Sequence, residues 1–465
     1  MNTDLDYRLP TPEPFQRRLA AFWLLTALAA LILSGLYVVL ILLSRTPGVS
    51  ALFPVENFFH LAIVAHVDFS VLVWFAAFGA LFWTLTSRAV KTWVLYTGAG
   101  LVLAGCLLLA IGPFYGGAAI MSNYVPVLDN AVFLWGLVIF GIGFALLALH
   151  AMLYPQPMGL PLTGPGLVRF GSQTAAMAVL LSCAALIWSY VSLPDFLHGQ
   201  GYYEALFWGG GHVVQFAWVQ LMLIAWLWLA SAAGLRLPIS GRLVLVLLLA
   251  GVIPAFLSVW GYLRFDVAGH QHREFFVWLM AAGGGLAAGP LGLALLYALW
   301  RTPVDKDRHV SGLRAALMFS VYLFGIGGAL GFLIDDSNTM VPAHYHGCIV
   351  AVTLTFMAIG LHLLPQLGFG VPNPKLVLAM PWVYGVGQLL HVAGLAFSGG
   401  HGVQRKTAGA DQGLESLAQI LGMSVMGLGG LIAVIGGVLF VAAVVGSVRR
   451  RRKGPVTGLA TVSQH

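Results

Sequence analysis

The chain holds fourteen histidines but only three cysteines. Two of the histidines stand two residues apart in Asn338-Thr339-Met340-Val341-Pro342-Ala343-His344-Tyr345-His346, which opens a long apolar run. Successive helical residues turn by about 100°, so positions i and i+2 point about 200° apart. His344 and His346 therefore cannot share one metal from a regular helix, but they can serve two sites on its opposite sides. An ionisable ring inside a membrane helix is costly and needs a partner. Two such rings facing apart suggest two cofactors flanking one helix.

Four more histidines share their depth. His66 lies about ten residues into an apolar run and His212 about nine into another, both runs entering from the same side. His270 and His272 mark the end of a third run on that side. At about 1.5 Å per residue, all six sit within roughly 15 Å of one face. Each alone is most simply a core imidazole bonded to a neighbouring carbonyl; six at one depth form a constellation. His60, His150, His198, His309, His362, His391, His401 and His465 join less well and read as structural, loop or interface residues. Clustered imidazoles without cysteine suit haem iron, copper or non-haem iron. Cys106, Cys183 and Cys348 are scattered, with no CxxC, so neither a disulfide framework nor a thiolate site is supported. There is no HExxH either, which argues against a zinc hydrolase.

The elements that carry these residues are membrane helices. The 465 residues are 59% hydrophobic and 8% charged, with a mean hydropathy of +0.90, values outside the range of soluble domains. Twelve spans are expected, at 19–44, 55–87, 92–113, 130–153, 168–193, 203–233, 241–266, 273–300, 311–334, 340–365, 377–399 and 416–447. They form one membrane domain over 1–465, all-α, with a polar segment at 1–18 and a basic tail at 448–465. Pro10, Pro12 and Pro14 and the long run after them predict no cleaved signal peptide. With twelve spans, eighteen of the 23 Lys and Arg fall on the side of the termini, including Arg449-Arg450-Arg451-Arg452-Lys453. Positive charge stays inside, so both termini are expected in the cytoplasm. The tail then reads as a stop signal rather than a nucleic-acid patch. The outer cations Arg45, Arg264, Arg273, Arg405 and Lys406 break the trend. Most of them adjoin histidines, which invites an anionic partner such as a cofactor carboxylate.

These residues match a known pattern. The chain resembles the catalytic subunit of the haem–copper oxidoreductases, the respiratory oxygen and nitric oxide reductases, over nearly its whole length. Ala343-His344-Tyr345-His346 resembles the family's His-x-His in helix ten. Leu206-Phe207-Trp208-Gly209-Gly210-Gly211-His212 resembles the helix-six segment carrying the first ligand of the second metal. Ala65-His66-Val67-Asp68 is similar to the low-spin haem ligand segment of helix two. Gly394-Leu395-Ala396 followed by Arg405-Lys406 resembles the loop that holds haem propionates. The stretch from Asn338 to Leu363-Leu364-Pro365 is most similar to the B-type branch. The resemblance implies His66 and His346 as axial ligands of a low-spin haem and His344 as ligand of a high-spin haem. It implies His212, His270 and His272 around a second metal, copper or iron. The haems would be of b type, and electrons would come from a partner subunit carrying cytochrome c or dinuclear copper.

The sequence departs from that pattern in places. The family's adjacent histidine pair is here His270-Gln271-His272, whose rings diverge in a helix; Gln271 or Glu274 could supply a missing ligand. Oxygen reductases of this branch have a tyrosine four residues after the helix-six histidine, where this chain has Phe216. Breaking the O–O bond needs four electrons at once and draws one from that phenol. Reducing two NO to N2O needs two electrons and two protons and no phenol. Gln215, one turn from His212, could act near the site, and Tyr262 could stand in for the phenol. Span eight has no Ser, Thr, Lys or carboxylate from Val277 to Pro290, whereas Asp68, Glu204, Glu274, Asp335 and Asp336 lie toward the outer side. An inner proton track through Ser320, Tyr322 and Thr355 is the alternative.

The expectation is therefore a non-pumping nitric oxide reductase of a bacterial or archaeal inner membrane, its site toward the outer side, with His212, Gln215, Glu204 and Glu274 in catalysis. A terminal cytochrome c or quinol oxidase and an NO dismutase are alternatives. A transporter is the alternative from another class, though its polar site would lie at the midplane.

Overall fold

The computed structural model describes residues 5–47, 56–159 and 162–450. The expected start of span two at 55, the tail cations Arg451, Arg452 and Lys453, and His465 lie outside the described residues. The fold is all-helical, and among the described residues twelve helices are long and apolar enough to cross a membrane. In order they are Pro14–Arg45, Phe59–Thr86, Thr92–Tyr115, Ala131–Leu153, Gly164–Ser192, Gly199–Ala232, Gly241–Arg264, His270–Arg301, Arg308–Gly331, Met340–Leu363, Pro374–Gly399 and Leu417–Arg449, called spans one to twelve. A two-stranded antiparallel hairpin, Ala119–Ile120 with Val127–Leu128, caps the loop between spans three and four.

Local chemistry sets the ends. Pro14 opens span one, where its missing N–H costs nothing, and Glu13 with Gln16 forms a capping box. Asn130, Thr163, Ser240, Asp307, Asn373 and Ser416 cap spans four, five, seven, nine, eleven and twelve. Span two changes geometry in its middle. After the α-helix Glu56–Val67 comes a π-helical stretch, Asp68–Val73, and α-geometry resumes at Trp74. Such a bulge shifts the rotational phase of a helix and recurs at functional sites; here it begins two residues after His66. Span eight is broken by a turn between Gly283 and Ala288.

The helices sort by enclosure. Span six is 83% buried over its most apolar window and span ten 78%, against 29–61% for the others. These two enclosed helices carry His212 and the His344/His346 pair. Large apolar side chains on the outer helices, such as Leu107, Trp135, Val191, Leu293 and Trp300, are exposed, as a lipid-facing surface requires. Two ends are defined by packing of the loops. At one, Tyr7 N–H donates to Ser231 Oγ and Gln16 to the Ser87 carbonyl. At the other, Arg45 donates to the Gln404 carbonyl and Lys406 to Asn123 and to the Met121 carbonyl. The second is the histidine end.

Candidate metal centre

A cavity of about 1720 Å³ runs from the histidine end inward as far as Trp226 of span six, larger than the roughly 300–1,000 Å³ of ordinary ligand pockets. His66, His212, His344, His346 and His391 all line it. Four of them are tied down alike. His66 Nδ1 lies 2.8 Å from Ser34 Oγ and 3.3 Å from the Ser34 carbonyl. His344 Nδ1 donates to the Gly327 carbonyl at 2.7 Å, His346 Nδ1 to Pro342 at 2.9 Å, and His391 Nδ1 to Met426 at 2.9 Å. A carbonyl only accepts, so in these three the proton sits on Nδ1 and Nε2 keeps its lone pair. That is how metal-binding imidazoles are fixed: a donor on one nitrogen sets the tautomer and aims the other. Cavity size and donor set fit flat macrocycles held axially through iron.

His344 and His346 leave opposite sides of span ten. His344 turns to span nine, where its ring lies over Gly331. A Cβ added at Gly331 would stand 2.7 Å from His344 Nδ1, so only glycine admits the ring. His346 turns to span eleven, its ring centroid 4.9 Å from that of His391. His391, grouped above with loop and interface residues, is buried within span eleven instead. The depth argument contains the missed signal: His391 lies eight residues before Gly399, about 12 Å from the helix end.

Cations gather at the rim. Arg405 donates through Nε to Ser337 Oγ at 3.0 Å, and Arg45 lines the cavity with its Nε unpartnered. Lys406 adopts the left-handed backbone region, φ +61°, a strained state for a non-glycine that persists where surroundings enforce it. Burial, helped by the Arg405 charge, lowers its ammonium to about 8. Asp68, in the π-helical stretch, also lines the cavity, and its Oδ2 has no hydrogen-bond partner.

The expected second-metal residues are divided by the helix they share. His272 is fully buried with both ring nitrogens unpartnered. His270 and Gln271 are exposed, and His270 pairs with exposed Glu274 at 3.4 Å. Residues two apart on a helix face opposite ways, so His270 and Glu274 are not brought to the cavity. Among the described residues no three of His, Cys, Asp and Glu gather as a metal-binding group. The His212 and His272 rings both pack on Phe276, centroids 5.6 and 4.8 Å away.

A phenol absent from the sequence expectation completes this region. Tyr124, from the hairpin loop, places its hydroxyl 2.8 Å from His212 Nε2. His212 Nδ1 donates to the Trp208 carbonyl at 2.7 Å, so Nε2 accepts from the phenol. A Cβ at Gly211 would stand 2.3 Å from Tyr124 Cγ; the Gly-Gly-Gly-His run thus makes room for this ring. Burial raises the Tyr124 phenol well above its ordinary range, opposed by a hydrogen bond with Gln215. Glu204 accepts from Asn123 Nδ2 at 2.9 Å, which ties it to the same loop. Phe216 is buried and its ring faces Gly283 of span eight. The Tyr262 hydroxyl is hydrogen-bonded with Ser189 Oγ, 2.9 Å away, beside the His272 ring. Of the inner hydroxyls, Ser320 and Thr355 are closed on each other, 2.7 Å apart and both accepting from Trp226 Nε1, whereas Tyr322 lines the cavity.

No protein-family model matches the chain. The uncharacterized protein RP382 of Rickettsia prowazekii (strain Madrid E) is 29% identical, over 93% of this chain and 96% of its own length. An uncharacterized protein of Aquifex aeolicus (strain VF5) is also 29% identical, over 75% of this chain and 85% of its own. A heme-copper terminal oxidase dimer solved by cryo-EM superposes with a TM-score of 0.73 at 16% identity, covering 97% of this chain and 86% of that one. The twelve candidate membrane helices among the described residues thus have the fold of a haem–copper terminal oxidase.

Proposed function

We propose that this protein is a respiratory membrane oxidoreductase of the haem–copper type that reduces two NO to N2O and water. The observation that carries the redox reading is the set of cavity imidazoles with Nδ1 tied to backbone and Nε2 free. His66 and His346 would hold a low-spin haem and His344 a high-spin one, on opposite sides of span ten. Such haems supply one-electron transfer and an iron at which a diatomic gas binds. The chain contributes orientation and charge. Gly327 and Pro342 carbonyls hold the rings of span ten, while Arg45, Arg405 and Lys406 would face haem carboxylates. Electrons would come from a partner subunit with cytochrome c or dinuclear copper.

NO is favoured over O2 by the path open to protons. The charged side chains lining the cavity, Arg45, Asp68, Asp336, Arg405 and Lys406, all belong to its histidine end. The hydroxyls of Ser320 and Thr355 are bound up with Trp226. Two protons per N2O would then enter from the outer side, without pumping. Positive-inside charge would place the termini on the cytoplasmic side of a bacterial or archaeal inner membrane. A second reading, terminal oxygen reduction, is favoured by the Tyr124 phenol on His212.

Purified protein tests this directly. A reduced-minus-oxidised spectrum should show haem bands, and reduced protein should consume NO and release N2O. Rapid O2 reduction with NO left untouched would overturn the NO reading. Absence of haem bands would overturn every redox reading and return the transporter.

A further inference from the structure

The second-metal site expected from three imidazoles is not assembled: His212 and His272 are buried together on Phe276, whereas His270 is turned out and paired with Glu274. We propose that the third protein donor is the phenol oxygen of Tyr124, so that the site is His212, His272 and Tyr124. This rests on the redox reading above and names the metal environment of that site.

Four observations support the set. His272 buries two ring nitrogens with no partner, a costly state that a metal bond to one of them would relieve in part. His212 Nδ1–H is spent on the Trp208 carbonyl, so Nε2 is its metal-facing nitrogen. Tyr124 Oη stands 2.8 Å from that Nε2. The fourth is the way the loop is fitted: Gly211 has no side chain where the Tyr124 ring lies, Lys406 holds the Met121 carbonyl, and Lys406 and Glu204 both bond the Asn123 side chain. A metal held there would take Tyr124 as the phenolate, with one proton released on binding, and would take His212 through Nε2.

The donor set also selects the metal. Copper(I) favours soft or purely imidazole surroundings, whereas an anionic oxygen beside two imidazoles suits iron. The site is thus assigned to non-haem iron rather than copper.

The test uses the intact, haem-loaded protein and counts metals and haems separately. Haem is measured as its pyridine complex, and total iron and copper by mass spectrometry. The unaltered chain should carry one iron beyond its haems. Tyr124→Phe should lose that iron at least about tenfold, the usual scale for a lost metal partner, while both haems stay. His270→Ala should keep it. Iron retained at the unaltered level in Tyr124→Phe, or lost in His270→Ala, overturns the proposal, as does copper in place of the extra iron. Should Tyr124→Phe fail to fold, a cryo-EM map of the unaltered protein decides: Oη at about 2.0 Å from the metal supports the set, and Oη beyond about 3 Å overturns it. An unaltered chain without haem bands sinks the functional reading instead, and the metal count in Tyr124→Phe still judges this site by itself.

Discussion

Adding one methyl group at Gly331 tests the assignment of His344. The new Cβ would stand 2.7 Å from His344 Nδ1 and 2.8 Å from Cε1, where ordinary contact begins at 3.4 Å. The ring must withdraw by about 0.7 Å, and its 2.7 Å bond to the Gly327 carbonyl lies on the same nitrogen. Loss of such an orienting bond lowers metal affinity about 10–100-fold. Overpacking itself costs about 1–3 kcal/mol, against a gain of about 1 kcal/mol in helix propensity, so the fold should survive. Gly325, on the same helix and the same cavity, has nothing within 4 Å of an added Cβ and supplies the control. Gly331→Ala should lose the CO-binding, high-spin component of the reduced spectrum and keep the low-spin one, while Gly325→Ala keeps both. If Gly331→Ala binds CO like Gly325→Ala with an unchanged high-spin band, His344 is not the ligand on that face.

Other expectations are narrower. His391→Ala, which removes a ring 4.9 Å from His346, should shift the low-spin band and its midpoint potential and leave CO binding alone; an unshifted low-spin band would detach His391 from that haem. Burial lowers the Lys406 ammonium to about 8 in the fold, from 10.5 for an ordinary lysine. Its folded pKa is depressed, so the burial penalty on stability is relieved as pH rises from about 8 to 10.5, while its hold on an anion is lost over the same rise. Turnover should therefore fall above about pH 8 and stay level in Lys406→Arg; matching profiles would refute this role. Ser320→Ala with Thr355→Val should destabilise by about 1–3 kcal/mol through the orphaned Trp226 N–H, with NO turnover little changed; a collapse of turnover in folded protein would restore an inner proton track.

Composition and periodicity alone specify much of this protein. Runs of apolar residues about 20 long have one outcome in lipid, because only a helix satisfies every backbone group there. The twelve spans follow from that constraint. The turn of about 100° per residue separates His344 from His346, and likewise His270 from His272, before any packing is known. Depth, counted along a helix, is a one-dimensional property and equally legible; applied to span eleven, it reaches His391.

Tertiary structure decided which rings meet and which face away from the site. Periodicity shows that His270 and His272 diverge, but only packing against Phe276 and Tyr262 shows that His272 is the buried one. The absence of a phenol at Phe216 is plain in the sequence. The phenol that reaches His212 comes from 88 residues earlier, on a hairpin loop admitted by Gly211. No local rule links those positions, because a contact across such a distance depends on how helices three to six pack and how the loop folds back between them. Sequence thus fixed the helices and the phases of their histidines, through backbone hydrogen bonding and helical geometry, while the partner of each imidazole was decided by the packing of separate helices in three dimensions.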